Sequence, residues 1–152
     1  MKRTLRRLAS LLLAIGGLFA FTGVASATVV VPPGGSGSTC SGYSHVSSNW
    51  YWQTCAWADD NEVYFTVNFG NASSGTWYPD ITWVDYIRSG SRVTCGAGIW
   101  YDFPVPAHSV KSTPTATCAI PRQSAAYAAV GQVWDGSGAY HVELHSPTLQ
   151  VQ

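Results

Sequence analysis

In the run EVYFTVNFG, residues 62–70, Val63, Phe65, Val67 and Phe69 take alternate positions, and Tyr64, Thr66 and Asn68 fill the others. A repeat of two sends successive side chains to opposite faces of an extended chain, so this run is a strand with one face to bury. The same period recurs in RVTCGAGIWYDF, residues 92–103, with Val93, Cys95, Ala97, Ile99, Tyr101 and Phe103 in one set and Trp100 in the other. In STPTATCAIP, residues 112–121, Ala116, Cys118 and Ile120 share a face. DITWVDYIRSG, residues 80–90, is strand-like, but its faces do not separate around Asp85. AYAAVGQVWDGSGAYHVEL, residues 126–144, reads as two strands joined at Asp135-Gly136-Ser137-Gly138, and SPTLQV resumes after a break at Pro147. The one helix-like piece, QSAAYAA, is short.

About seven short antiparallel strands separated by Gly, Asn and Asp turns predict an all-β fold. The expected architecture is a small antiparallel β-sandwich, broadly immunoglobulin-like, with a closed antiparallel β-barrel as the alternative.

The N-terminus begins with the basic stretch MKRTLRR, continues as apolar LASLLLAIGGLFAFTGV and ends in Ala25-Ser26-Ala27. That order is expected of a secretory signal peptide over residues 1–27, which makes the protein secreted and extracellular, with no membrane attachment after cleavage. The style of the signal and the Ala/Gly/Thr/Ser-rich composition suggest a bacterial source. Removal of residues 1–27 takes away Lys2, Arg3, Arg6 and Arg7. It leaves Arg88, Arg92, Lys111 and Arg122, 4 bases against 8 acids, a net charge of −4. Nucleic acid and anionic lipid both need clustered cations, so neither is an expected partner. Residues 28–38, TVVVPPGGSGS, read as a flexible Pro/Gly/Ser linker. Residues 39–152 form one domain, expected to be a monomer.

Cys40, Cys55, Cys95 and Cys118 make an even count, which in a small exported domain means two disulfides rather than a metal centre. The midpoint of 95 and 118 falls in the proline-broken connection PVPAHSVKSTP, and that of 40 and 55 on Ser47-Ser48. Hairpins folded there would set Cys40 against Cys55 and Cys95 against Cys118.

NWYWQTCAW, residues 49–57, is the densest aromatic segment. If Cys55 points inward, Tyr51 and Trp57 follow it, and Trp50 and Trp52 stand about 7 Å apart on the outer face. Trp100 is outward by its own alternation, and Trp77-Tyr78 lies in the loop NASSGTWYPD. Trp50, Trp52, Trp77, Tyr78 and Trp100 are therefore the candidate binding residues. Flat rings spaced along a strand suit sugar rings or a protein partner. The expected partner is carbohydrate or an extracellular protein.

Trp50-Tyr51-Trp52, between Cys40 and Cys55, resembles the aromatic-Arg-aromatic triplet that small streptomycete inhibitors of α-amylase carry between their first two cysteines. Those proteins are also secreted β-sandwiches with two disulfides, and the resemblance implies inhibition of a hydrolase. This chain departs from them in three ways. A tyrosine replaces the central arginine, the triplet lies nearer the second cysteine, and more than thirty residues follow Cys118.

Catalytic patterns are sparse. His141, Glu143 and His145 alternate along one strand. Adjacent pairs suit a shared metal, but 141 and 145 lie about 13 Å apart on an extended chain, so the set reads as a solvated polar face. Asp59, Asp60, Asn61 and Glu62 lack the spacing of a known calcium loop and read as an acidic turn. The carboxylates Asp80, Asp85 and Asp102 have little cleft to share in a sandwich of this size. There is no G-x-S-x-G, no phosphate loop and no cysteine left free once both bridges form. The expectation is a non-catalytic binding protein with no cofactor and no metal. A secreted hydrolase inhibitor or a structural extracellular protein is the alternative.

Overall fold

The computed structural model describes residues 27–135 and 140–152. The expected signal segment and the turn after Asp135 therefore lie outside the described residues, apart from Ala27 and Asp135 themselves.

The described chain forms twelve strands and no α-helix. One sheet holds β1 (Val29–Val31), β6 (Ile81–Arg88), β7 (Ser91–Tyr101), β10 (Ala125–Trp134), β11 (Tyr140–His145) and β12 (Leu149–Val151), in the spatial order β1-β12-β10-β6-β7 with β11 also on β10. The other holds β2 (Gly37–Cys40), β3 (Ser44–His45), β4 (Trp50–Ala58), β5 (Glu62–Asn71), β8 (Ser109–Ser112) and β9 (Ala119–Pro121). Its order is β2-β4-β5-β8, with β3 on β4 and β9 on β5. Among the described residues only β1–β12 is parallel; the other pairings are antiparallel. The two sheets pack as a β-sandwich and do not close into a barrel.

The core lies between them. Val63, Phe65, Val67 and Phe69 of β5 are fully buried, as their alternation requires. They meet Val84 and Tyr86 of β6 and Tyr127, Ala129 and Val133 of β10, and the Phe65 ring stacks on Tyr86 with centroids 4.5 Å apart. Gly131 of β10 faces this contact. A Cβ there would fall 2.8 Å from Val67 Cγ2 and 3.0 Å from Thr54 Cβ, so a side chain would force the sheets apart.

Four expectations are corrected. Residues 28–38 are not a free linker, because β1 and β2 both lie in or overlap this segment. The Arg122 guanidinium fastens it by donating to the carbonyl oxygens of Pro32 and Gly35, each at 2.6 Å, and of Asp59. Residues 115–118 are a 3-10 turn, not strand, since Pro114 sits just before them and supplies no N–H to a ladder. β7 alternates only in part. Thr94 pairs with Asp85 and Ile99 with Trp83, so four residues of β7 oppose Val84 alone, and the parity changes across that bulge. The last correction concerns β4, whose two faces are reversed.

Both expected disulfides form, Cys40–Cys55 and Cys95–Cys118. The hairpin argument holds only for the first, where Cys40 and Cys55 are direct partners across β2 and β4. Cys95 and Cys118 are not hairpin neighbours. Cys95 lies on β7 in one sheet and Cys118 in the 3-10 turn leading into β9 of the other, so the bridge staples sheet to sheet.

Candidate functional site

The site begins with the face that β4 turns outward. Trp52, Thr54, Ala56 and Ala58 are buried, so Tyr51, Gln53, Cys55 and Trp57 point away from the core. Polarity explains this choice. The outward set contains Gln53, whose amide would need partners inside, whereas the only polar inward residue, Thr54, satisfies itself by donating to the Thr66 carbonyl at 3.2 Å. The Cys40–Cys55 bridge joins neighbours within one sheet and needs no place in the core. It stands on the outer face, where Asn68 Nδ2 lies 3.1 Å from Cys55 Sγ.

Register brings the rest of that face together. Trp57 pairs with Tyr64, Cys55 with Thr66, Gln53 with Asn68 and Tyr51 with Gly70. His45 pairs with Tyr51, and Ser112 and Val110 of β8 pair with Asn68 and Gly70. At one end the Trp57 and Tyr64 rings stack at 3.9 Å. At the other, Tyr51 meets Tyr43 edge-on at 5.1 Å and His45 at 5.7 Å. The Tyr51 ring lies against the bare backbone of Gly70, where a Cβ would come within 2.1 Å of Tyr51 Cζ. Tyr43 and Val110 are well exposed, at 60% and 72%.

Two hollows cut this surface. The larger, about 590 Å³, is lined by Trp57, the disulfide, the hydroxyls of Ser36, Ser38, Thr66, Ser112 and Thr115, and the Asn68 amide. The smaller, about 320 Å³, is lined by Tyr51, Asn71, His108, Ser109 and Val110. Asp59 closes the Trp57 end. Its Oδ1 accepts the backbone N–H groups of Asn61 and Glu62, at 2.8 and 2.9 Å, and its Oδ2 accepts the Tyr64 hydroxyl at 2.8 Å. Those bonds hold its carboxyl below the ordinary value.

The sequence-expected residues do not form one surface. Trp52 is fully buried and Trp77 is 3% exposed, so neither is an outer platform. Trp77 is held by paired backbone bonds with Val105 and packs edge-on against Phe69 at 5.4 Å. Trp50 is half-buried, stacked parallel on Trp77 at 5.5 Å, with Nε1 donating to Ser73 Oγ at 3.2 Å. Trp100, in register with the buried Thr82, packs edge-on near Phe103 and is half-buried. Only Tyr78 is freely exposed, at 52%, in the loop beside Trp77. Asn71 of the sequence Asn71-Ala72-Ser73 is 2% exposed, and its Nδ2 donates to the Gly75 and Val105 carbonyls.

The opposite outer face carries a charged network. Arg92 donates to Asp85 Oδ2 at 2.9 Å and to Glu143 Oε2 at 2.8 Å, and Trp83 Nε1 donates to Asp85 Oδ1 at 3.0 Å. Glu143 also accepts from Gln132, and its Oε1 lies 2.6 Å from His145 Nε2. Burial pushes the Glu143 carboxyl up, but its bonds to His145, Arg92 and Gln132 outweigh that and bring it down to about 2. Alternation along this strand breaks at Val142, where φ is 43° and the register with β10 shifts. The His141 side chain lies outside the described residues. Among the described residues no three His, Cys, Asp or Glu side chains gather as metal ligands, and no helix is long and apolar enough to cross a membrane. No protein-family model matches the chain, and a search of curated protein sequences finds no similar one.

Proposed function

We propose that this is a secreted, non-catalytic binding protein that grips an extended extracellular polysaccharide on the outer face of β4 and β5. One observation carries the reading. The outward row Tyr51-Gln53-Cys55-Trp57 puts aromatic rings about 20 Å apart along one strand, with hydroxyls and amides between them. Rings stack on the C–H faces of sugars, and fixed polar groups between them meet sugar hydroxyls. The α-amylase-inhibitor reading has less support, since of its triplet only Tyr51 is turned to the outer face.

The test is retention of the mature domain on chitin, cellulose, starch and peptidoglycan, beside a Tyr51→Ala/Trp57→Ala variant and a Tyr101→Ala control. Tyr101 is 71% exposed on the other sheet. Retention of wild type and control, with at least tenfold loss in the double variant, is the expected result. Equal retention of all three proteins, or of none, overturns it. Stoichiometric loss of a hydrolase's activity on adding the domain would move the assignment to an inhibitor.

A further inference from the structure

We infer that the groove beside Trp57 selects uncharged glycans and rejects anionic ones. The inference rests on the polysaccharide reading and deepens it. The groove lining holds no ionisable side chain: its polar groups are the hydroxyls of serines and threonines and the Asn68 amide. Such groups exchange hydrogen bonds with neutral sugar hydroxyls at no charge-desolvation cost, but they offer a carboxylate or sulfate no cation to replace its water.

None of the four cations of residues 28–152 lines the groove, and each is engaged by other groups. Arg88 bonds Gln123, and Arg92 bonds Asp85 and Glu143. Lys111 donates to the Pro104 carbonyl at 2.8 Å and sits 4.7 Å over the Phe103 ring. Arg122 is held by backbone carbonyls beside the Asp59 end of the groove. Asp59 is itself anionic there, and its bond to Tyr64 fixes it next to the stacked Trp57 ring. The net charge of −4 adds a longer-range repulsion. His45 and His108 lie at the other end of the face, beside Tyr51, and neither lines the groove.

The experiment compares amylose, cellulose and chitin, each with its carboxymethyl derivative, at pH 8 in low salt and again in about 0.5 M salt, where charges are screened beyond a few ångströms. The expected result is at least tenfold weaker retention on the carboxymethyl form in low salt, with the gap narrowing in high salt. Equal or stronger retention on the carboxymethyl form overturns the selectivity and leaves the polysaccharide reading standing. A gap unchanged by salt assigns the rejection to the substituent's bulk and overturns the charge argument. Retention on no polymer of either kind overturns the polysaccharide reading itself.

Discussion

Trp52 is fully enclosed, yet among the described residues its Nε1 reaches no acceptor, and the same is true of Trp77. A buried donor without a partner costs about 1–3 kcal/mol, set against the large apolar area the indole removes from water. The two contributions separate by substitution. Trp52→Ala removes the ring and leaves a cavity opposite Phe69, its partner across the strands, and should destabilise by about 3–5 kcal/mol. Trp52→Phe gives up part of the area but also the unmet N–H, and should stay within about 1.5 kcal/mol of the wild type. Urea unfolding of the three proteins decides. Equal losses in both variants would mean that the indole N–H is not the burden it looks to be.

At the scale of strands, the inward face of β4 was legible without the structure. The short acidic turn at Asp59-Asp60-Asn61 sets Ala58 opposite Val63, so even positions of β4 share a face with odd positions of β5. Val63, Phe65, Val67 and Phe69 mark that face as core, which places Trp52 inside and Tyr51 and Trp57 outside. Anchoring the strand on Cys55 gave the opposite answer, because a bridge between neighbouring strands fits either face. The bulge in β7 and the shift at Val142 were not legible, since each inserts residues that periodicity reads as continuous strand. The network around Glu143 was equally hidden, as it joins β7, β10 and β11 through side chains far apart in sequence. It has a consequence for acid stability. A carboxyl held at about 2 in the fold, against 4.5 when free, contributes stability that is complete above 4.5 and is lost as the pH falls toward 2. Asp59 is shifted in the same direction. Thermal midpoints of wild type and Glu143→Gln should therefore differ most above pH 5, with the wild type higher, and converge below pH 3. Parallel curves over that range would remove Glu143 from the acid-sensitive groups.

For the whole molecule, the two disulfides divide the work unequally. They close sequence separations of 15 and 23 residues. The chain-entropy model gives them about 3 and about 3.4 kcal/mol, too close for loop length to distinguish them. Position does. Cys40–Cys55 joins strands already paired in one sheet, whereas Cys95–Cys118 is a covalent link from one sheet to the other. Access differs as well: Cys40 is exposed on the groove face, while Cys95 and Cys118 are 7% and 2% exposed. Reduction proceeds by thiolate attack on an accessible sulfur. Limited dithiothreitol followed by alkylation and peptide mass mapping should therefore label Cys40 and Cys55 first, in a molecule whose sheets remain packed. Cys95 and Cys118 should become labelled only as the near-ultraviolet signal of the aromatic core collapses. Early labelling of Cys95 and Cys118 in a still-folded protein would show that β7 and the 3-10 turn open locally, and that the sandwich does not depend on its inter-sheet staple.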